Sequence, residues 1–336
     1  MIFVTGGTGL VGSHILLKLS QSNISFKALK RESSSLNVCK DVFTYYNAES
    51  QFNQIRWVDG DVNDIPSLEE GMKDCTKVIH AAAIVSFHKD DDKIIHKINV
   101  EGTENIVNVA IGAGIEKLSY ISSIAALGRN STSNIVDEDC QFKISKKENN
   151  YSLSKYYSEQ EVWRASQEGL DVVILNPSVI LGPGDWTKGS SQIFQKIYNR
   201  LKYYTRGSTG YVDVTDVAEC AITLLQSDIK NERFIINGEN LKYRELFNLI
   251  AEGFNKKKTT VKVTPFMKEL AWRIELFRSF IIGGRPLITK ETANIAMKSS
   301  SYSTKKVEDA ISFKFVPIKE SVKKYCKWFS ERNKLV

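Results

Sequence analysis

The first twelve residues constrain this chain more than any others. The short apolar run MIFV breaks into Gly6, Gly7, Gly9 and Gly12 and leads into the apolar-periodic stretch HILLKL. That order predicts a buried strand, a tight glycine turn and a helix. A helix N-terminus offers unpaired N–H groups and a partial positive charge, and glycines let a pyrophosphate approach that backbone closely. The spacing is G-x-x-G-x-x-G through Gly6, Gly9 and Gly12, with Leu10 and Val11 between the last two. Placed between a strand and a helix, it points to a bound dinucleotide.

Alternating strand and helix patterns follow. Strands are predicted from Ile24 to Leu29, Ile55 to Val58, Thr76 to Ala83, Lys117 to Ser122 and Asp171 to Leu175. Helices are predicted to open near Asn99 and to cover Tyr151 to Glu168. Repeated β-α units with buried strands imply a doubly wound, mostly parallel sheet. Ligands of such sheets bind at the carboxyl ends of the strands. Residues 1–176 are therefore read as the dinucleotide-binding domain, with about 211–237 returning to the same sheet. Residues of about 177–210 and 238–336 are read as a smaller, mainly helical lobe closing over a substrate.

Charge and cysteine usage exclude several other classes. The net charge of +7 comes from 46 Lys and Arg against 39 Asp and Glu, in short clusters such as Lys256-Lys257-Lys258, which argues against a nucleic-acid stripe. The five cysteines are far apart and show no C-x-x-C or His/Cys ligand spacing, so neither a disulfide framework nor a metal site is indicated. No basic, then apolar leader opens the chain, and no run of about 18 apolar residues suggests a membrane span. The expected location is the cytoplasm, and the expected partner is a small molecule.

Chemistry concentrates in two places. Tyr151 and Lys155 lie four apart on a predicted helix, hence on one face. A free tyrosine titrates near 10, and a neighbouring ammonium lowers that value, so Tyr151 could exchange a proton with a carbonyl or alcohol. Ser122 and Ser123 end the predicted strand at 117–122, where a hydroxyl could hydrogen-bond a reacting carbonyl.

In this combination the chain resembles the extended short-chain dehydrogenase/reductase family. The matching pieces are TGGTGLVGSH at 5–14, GDVND at 60–64, HAAA at 80–83, NVEGTENIV at 99–107, YISSIAALG at 120–128, YSLSK at 151–155 and NPSVILGPGD at 176–185. GRPLITKETA at 284–293 looks like the helix-entry pattern of the C-terminal lobe. Dihydroflavonol 4-reductase-like and 3β-hydroxysteroid dehydrogenase-like members are the nearest in look. The resemblance implies a Rossmann sheet and the site residues. Ser123, five before Gly128, matches the catalytic serine, and Ser122 is expected to face the cofactor. Tyr151 matches the acid/base, and Lys155 the residue that lowers its pKa and holds the nicotinamide ribose. Asp61 and Val62 match the adenine-contacting pair. Ala81, Ala82 and Ala83 match the wall beside the dinucleotide, and Pro177 to Val179 the segment beside the nicotinamide. Asn99 matches a residue that supports a proton relay or helix kink, and a homodimer through the helices beginning near Asn99 and Tyr151 is common among relatives.

The end of the second strand reads Ala28-Leu29-Lys30-Arg31-Glu32-Ser33. NAD-binding chains usually carry an acid there for the ribose 2′-hydroxyl; Lys30 and Arg31 would welcome a 2′-phosphate, so NADP(H) is favoured, with NAD(H) possible because of Glu32. Substrate contacts are sought at Ser86, Phe87 and His88, at Trp186, and at Tyr203, Tyr204 and Tyr211. An apolar stripe in 265–284 is a candidate lid or, less readily, a membrane-surface element. Together these suggest an apolar or aromatic substrate. His88 and His96 have no identifiable carboxylate or metal partner. Two rivals stand beside the reductase reading: a sugar-nucleotide epimerase with tightly held NAD, and a non-catalytic NADP-binding protein. Ile124 and Ala125 after Ser123, where dehydratases carry acids, argue against dehydration.

Overall fold

The computed structural model describes residues 1–129, 133, 135–145, 148–282, 285–286 and 289–334. Gly284, Leu287 and Ile288 of the helix-entry motif lie outside the described residues. Seven parallel strands form the central sheet: β1 (Ile2–Thr5), β2 (Phe26–Lys30), β3 (Arg56–Asp59), β4 (Lys77–His80), β5 (Lys117–Ile121), β6 (Asp171–Pro177) and β7 (Glu232–Ile236). Their spatial order is β7-β6-β5-β4-β1-β2-β3. The chain winds outward from β1 to β3, then returns and winds the other way from β4. The switch between β1 and β4 opens a crevice at their carboxyl ends.

The main helices are α1 (Leu10–Gln21), α2 (Gly102–Gly112), α3 (Asn150–Gln167), α4 (Val214–Gln226), α5 (Pro265–Ile282) and α6 (Ile318–Lys334). The sheet is covered on both faces, which explains why central strands such as β1 and β6 read as apolar runs rather than alternating ones. Ile2 and Val4 of β1 join the cluster containing Leu16 of α1, Val217 of α4 and Tyr325 of α6. Phe3, between them, turns to the opposite cluster with Ile106 of α2 and Val162 of α3.

The return of residues 211–237 to the central sheet is only half realised. β7 joins it beside β6. The strand at 208–213 instead pairs in parallel with 179–181 and antiparallel with 239–242, forming a separate three-stranded sheet. Its short register with Val179 to Leu181 is set directly after Pro177 leaves β6. The expected strand at 76–83 also stops at His80, and Ala81 onward runs without a ladder. Toward α2 the chain is helical earlier than predicted: it coils from Asp92 and widens into a π-helical stretch at His96–Glu101 around Asn99. Such widening accommodates an inserted residue inside a helix and often sits at functional sites.

Candidate active site

The glycine turn forms because Gly6 has φ +76°, a conformation that L side chains rarely adopt. A Cβ at Gly6 would meet the Ala81 carbonyl carbon at 2.5 Å, and one at Gly12 the Gly6 oxygen at 2.0 Å. These two glycines let β1, α1 and the Ala81–Ala82 segment come together. Gly9 is different: a Cβ there would touch only Gly6 oxygen, at 3.4 Å, so its outer side is open. Gly9 caps α1 without any side-chain hydrogen bond, and the first helical turn carries no acid. The open backbone, the uncapped N–H groups and the missing negative charge together fit a pyrophosphate. Ala81 and Ala82 donate their N–H groups to the Thr5 carbonyl and hydroxyl, at 3.2 and 3.3 Å. Gly182 and Gly184, from the 176–185 motif, pack on the Leu10 side chain.

An open hollow beyond the turn is lined by Arg31, Glu32, Ser33, Asp59, Gly60, Asp61 and Asp64. Arg31 and Asp61 thus share a wall of it. Asp61 accepts from the Asn63 backbone and side chain at 2.9 and 3.1 Å. Val62 is buried against Gly102 instead of facing the hollow, and its carbonyl accepts from Asn105. Lys30 corrects the expectation of two waiting cations. Its ammonium is ion-paired with Asp59 of β3, so only Arg31 of the pair lines the hollow.

The proton-transfer group assembles at the carboxyl end of β5. Asn149 starts α3 by accepting the Ser152 N–H at 2.8 Å, which places Tyr151 in the first turn. The Ser123 hydroxyl lies beside the Tyr151 hydroxyl, close enough to act on its ionisation, and accepts the Ala125 N–H at 3.1 Å. Burial pushes the Tyr151 hydroxyl above its ordinary range, and the neighbouring Ser123 hydroxyl works against that. Phe87 meets the Tyr151 ring edge to face at 5.6 Å.

Lys155 corrects the sequence reading. It shares the helix face of Tyr151, yet its ammonium turns inward, donating to the Ile121 carbonyl at 2.9 Å and to the Tyr120 hydroxyl at 3.3 Å. Burial lowers it to about 8, while Glu159 opposes that shift. Ser122 also points inward, not toward a cofactor. Its hydroxyl donates to Glu159 at 2.5 Å. Glu159 further accepts from Asn176 at 2.5 Å and pairs with Arg233 at 3.5 Å. Burial raises its carboxyl, against those donors. Sequence reading missed this network, although Tyr151, Lys155 and Glu159 recur at four-residue intervals, a stripe down α3.

Asn99, in the π-helical stretch, exchanges hydrogen bonds with the Ile84 backbone at 2.8 and 2.9 Å and donates to Ser154 at 3.0 Å. It therefore ties the segment after β4 to α3. Of the substrate candidates, Ser86 donates to Asp91 at 2.6 Å, and Asp91 pairs with Arg285 at 2.9 Å, linking the β4 side to the C-terminal lobe. Trp186 is not where it was expected. It sits in the aromatic core, 8% exposed, edge to face with Phe194 and Phe329. Tyr211 is fully buried as well, whereas Tyr203 is half exposed.

A family model described as the NAD dependent epimerase/dehydratase family matches residues 2–237. A curated relative from Synechocystis sp., named "Putative dihydroflavonol 4-reductase", is 29% identical over 341 residues, spanning 98% of this chain and 95% of the relative. Among solved structures, gox2253 superposes with a TM-score of 0.80 at 28% identity, across 99% of this chain and 98% of that one. The UDP-glucose 4-epimerase of Thermotoga maritima, solved with UDP-glucose, shares the fold with a TM-score of 0.77 at 19% identity, over 98% and 99% of the two chains.

Proposed function

This chain belongs to the NAD dependent epimerase/dehydratase family, and on that premise we propose that it transfers a hydride between NADP(H) and the carbonyl or secondary alcohol of a mainly apolar or aromatic small molecule. Within the family it is an extended short-chain dehydrogenase/reductase, an NAD(P)-dependent oxidoreductase acting on alcohol and carbonyl groups. The observation that carries the proposal is the Ser123–Tyr151 hydroxyl pair, set at a strand end beside Phe87.

The nicotinamide, when bound, supplies or accepts the hydride. In the reductive direction Tyr151 gives its hydroxyl proton to the substrate oxygen, and Ser123 donates a hydrogen bond to the same oxygen. Lys155, anchored to Ile121 and Tyr120, keeps a cation beneath the site. Gly9 and the N–H groups of Leu10, Val11 and Gly12 would hold the pyrophosphate, Asp61 the adenosine and Arg31 the 2′-phosphate. Pro177 and Val179 would flank the nicotinamide. Phe87, edge to face with Tyr151, would put an aromatic ring beside the reacting group, which favours an apolar substrate.

One observation favours a second reading. Glu32 lines the same hollow as Arg31, and an acid there suits the free ribose of NAD. Tightly retained NAD would then serve internal redox chemistry, as in an epimerase. The deciding experiment releases the nucleotide from purified protein and titrates NADP(H) and NAD(H) into the stripped sample. Exchangeable binding that favours NADP(H), with turnover of an apolar carbonyl lost in Tyr151→Phe while cofactor binding stays, is the expected result. Retained NAD, or a fully active Tyr151→Phe enzyme, overturns the proposal.

A further inference from the structure

Helix α5 (Pro265–Ile282) turns its apolar side to water. A surface helix ordinarily packs its apolar stripe on the core. Here the partly covered positions include Lys268, Ala271, Trp272, Glu275 and Arg278. Phe266, Leu270, Ile274, Phe277 and Ile281 are 75, 47, 56, 65 and 62% exposed. Their steps of four, four, three and four put them on one stripe roughly 80° wide. The stripe therefore faces solvent and does not line a lid over the cleft. A contiguous exposed apolar row of this kind marks an interaction surface.

Charge identifies the partner. Residues 256–298 carry ten Lys and Arg against three Glu, a net +7. That equals the net charge of the whole chain, so the remaining residues balance. The helix's own acids are already engaged: Glu269 with Lys268 and Arg273, and Glu275 with Arg278. A second copy of the chain would bring an equal positive charge to the contact. An anionic lipid surface answers both features, taking the apolar stripe at the headgroup–acyl boundary and the cations at its phosphates.

We propose that α5 docks this enzyme on the surface of an anionic bilayer, lying in the interface with Phe266, Leu270, Ile274, Phe277 and Ile281 inserted. The attachment is peripheral: no helix among the described residues is long and apolar enough to cross a membrane. The proposal is independent of which carbonyl the enzyme reduces.

The test is co-sedimentation of the full chain with vesicles of phosphatidylcholine alone or mixed with phosphatidylglycerol. Wild type should bind the phosphatidylglycerol vesicles about tenfold more tightly than the neutral ones, and rising salt should release it. The double variant Phe266→Ser/Phe277→Ser should lose that binding with an unchanged melting temperature, because both side chains already face water. No binding to either vesicle, or equal binding by wild type and variant, overturns the proposal. So does sedimentation equilibrium showing a dimer that the double substitution dissolves, with no vesicle binding, since the stripe would then join two copies.

Discussion

At the scale of single residues, the end of β2 shows how neighbours of like charge divide their work. Lys30 is held by Asp59, while Arg31 reaches the hollow. Arg31→Ala should raise the dissociation constant for NADPH about tenfold or more, the worth of a charge-assisted phosphate contact, and change that for NADH little. Lys30→Ala should do less. Fluorescence titration of both nucleotides checks this; equal weakening of NADPH and NADH by Arg31→Ala would mean that it does not read the 2′-phosphate. The two cations were legible in the sequence, but the pairing was not. Asp59 comes from a neighbouring strand 29 residues away, and no local pattern signals a cross-strand partner. Trp186 shows the same limit. Its place beside the Gly/Pro loop suggested a pocket, but Phe329 from the far end of the chain packs against it.

At the scale of elements, the turn between β1 and α1 was readable because glycine spacing has a steric cause. The structure separates two duties within it. Gly12 has no room for a methyl, whereas Gly9 has room but faces the open side. Gly12→Ala should therefore lower stability by about 1–3 kcal/mol through forced backbone shifts and also abolish nucleotide binding. Gly9→Ala should melt close to wild type, at φ −92°, and still bind nucleotide poorly because the methyl meets the pyrophosphate. Melting curves with and without NADPH distinguish the two; a destabilised Gly9→Ala would refute the division. The α3 stripe was half legible. Its Tyr151 and Lys155 stood out by spacing, but the inward turn of Lys155 depends on Tyr120 and the Ile121 carbonyl beneath it. That arrangement follows from the packing of α3 on β5, which sequence periodicity does not specify. The strand at 208–213 was assigned to the central sheet for a related reason: a strand's own sequence carries no mark of which sheet it joins.

At the scale of the whole molecule, buried titratable groups tie stability to pH in opposing ways. Asp216 of α4 is pushed up to about 7 by burial, with Asp213 adding to the shift and the Val316 N–H and Lys324 working against it. Its folded value lies above its unfolded one, so its contribution is present at low pH and is lost as pH rises toward and through about 7. His14 and His80, lowered by burial to about 4 and about 3, act the other way: they stabilise above their unfolded value and lose that contribution as pH falls. Comparing variants isolates the Asp216 part. Asp216→Asn keeps an acceptor for the Val316 N–H but carries no charge. It should raise the melting temperature relative to wild type above about pH 8 and lose that advantage near about pH 4. An offset that does not change with pH would show that Asp216 does not titrate in this range.

The same region has a consequence for how the chain is made. α6 packs against the end of the helix at 37–45 and the end of the strand at 208–213: Trp328 stacks on Tyr45 with centroids 3.6 Å apart, Lys324 donates to Tyr46 at 2.6 Å and Tyr325 donates to Asp213 at 2.7 Å. The residues of this seam are far apart in sequence, Lys324 following Tyr46 by 278 positions. Until the later ones emerge, the nascent sheet keeps a wet apolar face, open to chaperones and to other unfinished chains. A helix late in the sequence thus completes the packing of elements made well before it.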